Sequence, residues 1–127
     1  MNTTRQSTLV PEEALRSVKP FVVGVGAVGR NVAVQLAAIG TDNITICDFD
    51  TVEDHNVTTQ GYLNRDIGRL KVDALRDSLF EINPQIICTA INDRYRPNHM
   101  RNNDVVFLCP DKIEVRETVY RTCKDKV

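Results

Sequence analysis

Gly24, Gly26 and Gly29 stand at the spacing GxGxxG directly after the apolar run Phe21-Val22-Val23, an arrangement that could hold a phosphate. Gly24 would let the chain turn sharply, and Gly26 would let backbone N–H groups approach an anion. Gly29 would let the following helix pack closely on its strand. The helix N-terminus adds a partial positive charge at the same place. Glycines in a tight strand-to-helix turn can also be purely structural, so the spacing alone leaves both readings open. A second strand, Asn43-Ile44-Thr45-Ile46-Cys47, ends in Asp48-Phe49-Asp50, about 20 residues past the turn, where a ribose-binding acid belongs. Lys71 falls in the first turn of a predicted helix, where the helix dipole disfavours a cation. Local structure gives it no reason to be there, so its side chain is expected to point into the site from an otherwise solvent-facing position.

These residues need a frame. A strand from Pro20, a helix over about 27–39 and the strand at 43–47 form the first unit. That helix carries Val28, Val32, Leu36 and Ile39 on one face, and Gly40 stops it. Residues 51–68 are polar and longer than an ordinary connection, and they read as an irregular loop covering a ligand. A helix over about 69–82 follows, with Val72, Leu75, Leu79 and Ile82 on one face and Asn83-Pro84 at its end. A third strand over 86–91 leads into a basic, proline-containing loop over 92–103 with the composition of a mobile segment. The fourth strand is Val105 to Cys109, and a last helix starts near Asp111.

The pattern predicts an α/β fold, a doubly wound, mostly parallel Rossmann-like sheet with strand order 3-2-1-4, incomplete at its C-terminal side. Residues 1–19 read as an arm and 20–127 as one nucleotide-binding domain. The chain has 127 residues and a formal net charge of −1 with both signs interspersed. That balance gives no electrostatic footprint for nucleic acid or an acidic membrane. No apolar run approaches a membrane span, so the chain is expected to be soluble and cytoplasmic. Cys47, Cys88, Cys109 and Cys123 form no CxxC pair. They read as small buried hydrophobes in a reducing compartment rather than a zinc site, with Cys109 nearest the proposed site.

The ordered set Gly24-Val25-Gly26-Ala27-Val28-Gly29, Asp48-Phe49-Asp50, Asn56, Gln60, Asp66-Ile67-Gly68-Arg69-Leu70-Lys71 and Asn83-Pro84 resembles the ubiquitin-activating-enzyme superfamily, including the ThiF/MoeB-type adenylyltransferases. The resemblance runs from about Arg5 to the end of the chain. An NAD dehydrogenase would share only the glycine turn. The resemblance implies that ATP adenylates the C-terminal carboxylate of a ubiquitin-like, β-grasp carrier protein, releasing pyrophosphate. It implies that the turn with Ala27 cradles the nucleotide, Asp48 bonds the ribose, Asn56 contacts phosphate, and Asp50 and Gln60 belong to the same site. Lys71 would neutralise the α-phosphate, Asp111 would hold Mg2+, and Arg5 would reach the phosphates in a partner subunit. Anion attacking anion is the difficulty, which is why fixed cations and a metal are wanted.

Three departures from the family pattern stand out. Thr59 occupies the place of an arginine before Gln60, so a cation is missing unless Arg65 or Arg69 replaces it. Leu108 and Lys112 stand where an acid and an asparagine are common, which puts metal affinity in doubt. Further strands and a zinc-binding half do not follow. The expected reading is an adenylyltransferase or its nucleotide-binding part. The alternatives are a module of the same fold that binds ATP or a partner without turnover, and an NAD-dependent oxidoreductase fragment. An uncovered sheet flank further predicts a homodimer or a complex with a chain completing the fold.

Overall fold

The computed structural model describes residues 18–101, 103, 105–109, 117, 120 and 121. The arm with Arg5, and Asp111 itself, lie outside those residues; Glu117, Tyr120 and Arg121, in the helix expected after Asp111, are helical. Four strands form one parallel sheet: β1 (Pro20–Val23), β2 (Asn43–Asp48), β3 (Ile87–Asn92) and β4 (Val105–Leu108). Their order is β3-β2-β1-β4, as the alternation of strand and helix patterns predicts. Register places Val22 between Ile46 and Phe107, and Phe21 between Thr45 and Val106.

Alternating side chains give the sheet two faces. Val22, Ile44 and Ile46 lie in the main core with Leu75 and Leu79. That face is covered by α1 (Ala27–Ala38) and α3 (Lys71–Ile82). Phe21, Val23 and Cys47 on the other face pack with Tyr95 and Met100. The loop after β3 is therefore docked on the sheet through two buried side chains, against its expectation as a loose basic segment.

Helix α1 differs from its predicted face. Its buried residues are Gly29, Ala33 and Ala37, and Val28 is 65% exposed. Val32 and Leu36 only flank the core. A helix lying close on a sheet needs small residues at the contact, and a search for large apolar side chains looks past them.

The segment after β2 is also more ordered than its polarity suggests. It contains a short helix, α2 (Asp54–Gln60), and a 3-10 turn over Asn64–Asp66. Asn56 closes the start of α2: its Oδ1 accepts the Glu53 N–H at 2.8 Å, and its own N–H donates to the Glu53 carbonyl at 2.9 Å. Gly61 ends the helix in the left-handed region at φ 87°. Tyr62 is then buried, its hydroxyl donating to the Val25 carbonyl at 2.5 Å. The segment is thereby tied to the glycine turn.

Residues 50–52 and 68–71 form a small antiparallel bridge that delivers Lys71. Val52 N–H donates to the Arg69 carbonyl, Gly68 N–H to the Val52 carbonyl, and Lys71 N–H to the Asp50 carbonyl at 3.0 Å. Asp66 is buried with its carboxylate accepting from Leu63 N–H at 3.1 Å and Arg69 at 3.3 Å. Much of the stretch from Asp66 to Lys71 is thus scaffolding for the start of α3. Among the described residues no helix is long and apolar enough to cross a membrane.

Candidate functional site

The carboxyl ends of the strands open on one cavity of about 240 Å³. The sheet order reverses between β1 and β4, which is where an open α/β sheet offers a crevice to a ligand. Val23 and Gly24 reach it from β1, Cys47 and Asp48 from β2, Asp93 from beyond β3, and Cys109 from beyond β4.

The glycine turn forms its floor. Gly24 takes φ 88°, a conformation that favours glycine. Gly26 precedes α1 with no side-chain cap, and Gly26, Ala27 and Val28 line the cavity. Uncapped first-turn N–H groups at the positive end of a twelve-residue helix suit an anion. Gln60 closes over this turn: a Cβ on Gly26 would sit 3.4 Å from its Nε2. The Gln60 Oε1 is buried without a hydrogen-bond partner. Its amide offers a ligand both an acceptor oxygen and a donor NH2.

Asp48 is held in place rather than left loose at a strand end. Its Oδ2 accepts the Val25 N–H at 2.9 Å and its Oδ1 accepts the Asp50 N–H at 2.9 Å. Each carboxylate oxygen retains acceptor capacity for a hydroxyl. Lys71 is the correction among the predicted site residues. It opens onto the cavity, yet it is 6% exposed, so its position is a buried one and not a solvent-facing one. Its Nζ lies 3.8 Å from Asp50 Oδ2.

Gly24, Gly26, Ala27, Asp48, Asp50, Gln60 and Lys71 thus converge on one cavity. Gly29 supports it from beneath, and Asn56 does not line it. Arg65 and Arg69 do not line the cavity either. Arg65 pairs with Glu81 at 2.9 Å, and Arg69 pairs with Asp77 at 2.6 Å. Among the described residues the cations lining the cavity are Lys71 and Arg94. Sequence reasoning passed over Phe49, Asp93, Arg94 and Tyr95. The rule that ligands gather at strand carboxyl ends would have pointed to the last three.

Asp48 is engaged by backbone N–H groups, Asp50 stands beside Lys71, and Asp93 accepts Arg96 Nε at 2.8 Å. The Arg96 hydrogen bond lowers the Asp93 carboxyl below the usual carboxylate range. No cluster of three or more His, Cys, Asp or Glu suited to a metal occurs among the described residues.

Burial pushes the Cys47 thiol up to about 12 from an ordinary 9.0, and the charges of Asp48 and Asp93 add to it. Cys88 rises by burial to about 11. In the unfolded chain these thiols ionise near pH 9, while the folded chain retains their protons. Their contribution is therefore fully present below pH 9 and is lost as pH rises toward 12 for Cys47. Between pH 9 and 10 the parent should lose about 1 kcal/mol more stability than Cys47→Ala. Urea unfolding at the two pH values checks this, and equal losses would mean that Cys47 titrates as an ordinary thiol.

A family model described as the ThiF family matches residues 4–126. The molybdopterin-synthase adenylyltransferase of Escherichia coli K12 is 33% identical over 117 residues, covering 88% of this chain and 47% of that protein. Ubiquitin-like modifier-activating enzyme 5 of Caenorhabditis elegans is 32% identical over 129 residues, covering 90% of this chain and 31% of that protein. The structure of E. coli tRNA N6-threonylcarbamoyladenosine dehydratase, TcdA, in complex with ATP superposes with a TM-score of 0.89 at 25% identity. It covers 98% of this chain and 55% of that one. The chain spans about half the length, or less, of these relatives.

Proposed function

Because this chain belongs to the ThiF family, we propose that its cavity binds ATP and serves adenylation of the C-terminal carboxylate of a ubiquitin-like or sulfur-carrier protein. The observation that carries the reading is Lys71: a buried ammonium opening on the cavity that the uncapped glycine turn also lines. A phosphate chain would lie along the turn, with Lys71 offsetting charge at the α-phosphate and Asp48 receiving the ribose hydroxyls. ATP would be taken up with Mg2+, for which Asp111 is the proposed ligand, and Arg5 is proposed to act on a partner's nucleotide. The ATP held by TcdA and the adenylyltransferase relatives support this reading.

The assembly proposed with it is a homodimer, or a complex with a chain completing the fold, acting in the cytoplasm. Val105 and Leu108 of β4 are exposed at one end of the described sheet, and a partner would cover them. A specific observation favours a second reading, ATP binding without turnover. Thr59 is exposed with its hydroxyl donating to the His55 carbonyl at 2.6 Å, and Arg65 and Arg69 are held by other acids.

Thermal unfolding with magnesium and ATP, against NAD, tests the nucleotide. ATP at a hundredfold excess over its dissociation constant should add roughly 2.7 kcal/mol, and stabilisation by NAD with none by ATP would overturn the reading. Carrier-dependent exchange of labelled pyrophosphate into ATP then separates adenylation from binding alone.

A further inference from the structure

Phe49 and Arg94 face the cavity from two different loops, and neither has a part in the chemistry above. Phe49 lies between Asp48 and Asp50, is 47% exposed and lines the cavity, so its ring is within reach of a ligand there. The Arg94 guanidinium carbon lies 5.6 Å from the centre of that ring. The backbone carrying Arg94 is anchored on both sides. Its N–H donates to Asp93 Oδ1 at 2.8 Å, and the Asp93 carbonyl accepts the Cys47 thiol at 3.1 Å. Tyr95 then packs edge-on against Phe21 with ring centres 6.0 Å apart.

Strand order decides which part of a ligand Arg94 meets. The glycine turn follows β1, Asp48 ends β2, and Arg94 follows β3 on the far side of β2. Neighbouring strands lie about 4.8 Å apart, so Arg94 stands roughly 10 Å across the sheet from the turn. A nucleotide with phosphates on the turn and ribose at Asp48 extends its base toward the end of β3. A guanidinium plane is weakly hydrated and stacks on flat aromatic faces, as an ammonium cannot.

We propose that Arg94, braced over Phe49, forms the platform on which the nucleobase stacks, and that it contributes to affinity through its plane rather than through its charge on phosphate. The inference rests on the nucleotide reading above and adds a residue to it.

Competition binding on the full chain tests it with three probes: ATP, AMP and inorganic tripolyphosphate, which lacks the base. Arg94→Ala should weaken ATP and AMP about five- to tenfold, with Phe49→Ala moving in the same direction. Tripolyphosphate should change by less than about twofold, and Arg94→Lys should lose nearly as much as Arg94→Ala because it keeps charge without the plane. Parallel loss of tripolyphosphate binding, restored by Arg94→Lys, would overturn the proposal in favour of a phosphate contact. Unchanged affinities for all three would also overturn it. A parent that binds no nucleotide would remove the nucleotide reading itself, a result separate from either.

Discussion

Gly29→Ala should be the most damaging single-methyl change in the described chain, with a loss of at least about 3 kcal/mol of stability. A Cβ at this position would lie 1.7 Å from the Gly24 carbonyl oxygen, 2.8 Å from its carbon and 3.2 Å from Cys109 Cβ. Two of these atoms are backbone and cannot swing aside as a side chain would. Gly24 itself is fixed, its N–H donating to the Cys47 carbonyl at 2.8 Å while its φ stands at 88°. The clash can be relieved only by lifting α1 from the sheet, which opens the packing of Ala33 and Ala37. Against a total stability typically of about 5–15 kcal/mol, such a loss raises the unfolded fraction roughly a hundredfold.

Two other glycines serve as controls for this result. Gly68→Ala meets nothing within 4 Å but sits at φ 90°, so its cost is conformational, about 1–2 kcal/mol. Gly26→Ala meets only the end of Gln60 at 3.4 Å and should leave the fold standing while its methyl narrows the cavity floor. Urea unfolding of the three variants gives the order of loss. A Gly29→Ala chain as stable as Gly68→Ala would show that α1 does not need this close approach.

The sheet order was legible because each strand is a short apolar run bounded by turn residues, and a parallel pair needs the crossover that the intervening pattern supplies. Helix α3 was legible for the same reason, through Val72, Leu75 and Leu79. The contact face of α1 was not, because Gly29, Ala33 and Ala37 carry too little apolar surface to mark a stripe. Nor was α2: Asn56 is the residue it buries, so its helical signal resides in capping bonds and in Gly61 rather than in a hydrophobic face.

The site divides in a similar way. Gly24, Gly26, Asp48 and Lys71 announce themselves by type and spacing, since each is a residue whose local setting gives it an incomplete explanation. Asp93, Arg94 and Tyr95 follow β3 without any motif, and only the assembled sheet brings them to the same cavity. Arg5 and Asp111, assigned by resemblance, fall outside the described residues, and their roles remain proposals.

Lys71→Met should leave the fold intact and remove most of the ATP affinity. The parent side chain is buried, with its ammonium 3.8 Å from an Asp50 carboxylate that is itself half-exposed. Methionine fills a similar volume, and Asp50 keeps access to water when its partner leaves. Replacing a buried ammonium by an apolar chain of like length should therefore change stability by less than about 1.5 kcal/mol, in either direction. Binding should respond differently. A charge-assisted contact to phosphate contributes about 1.5–3 kcal/mol, so the ATP dissociation constant should rise roughly ten- to hundredfold. Any pyrophosphate exchange should fall by more, because charge on the α-phosphate grows as the carboxylate attacks. Calorimetry on parent and variant, with urea unfolding of both, separates the two effects. A variant that binds ATP like the parent would reduce Lys71 to a packing residue at the start of α3, and the case for phosphate chemistry would then rest on the glycine turn alone.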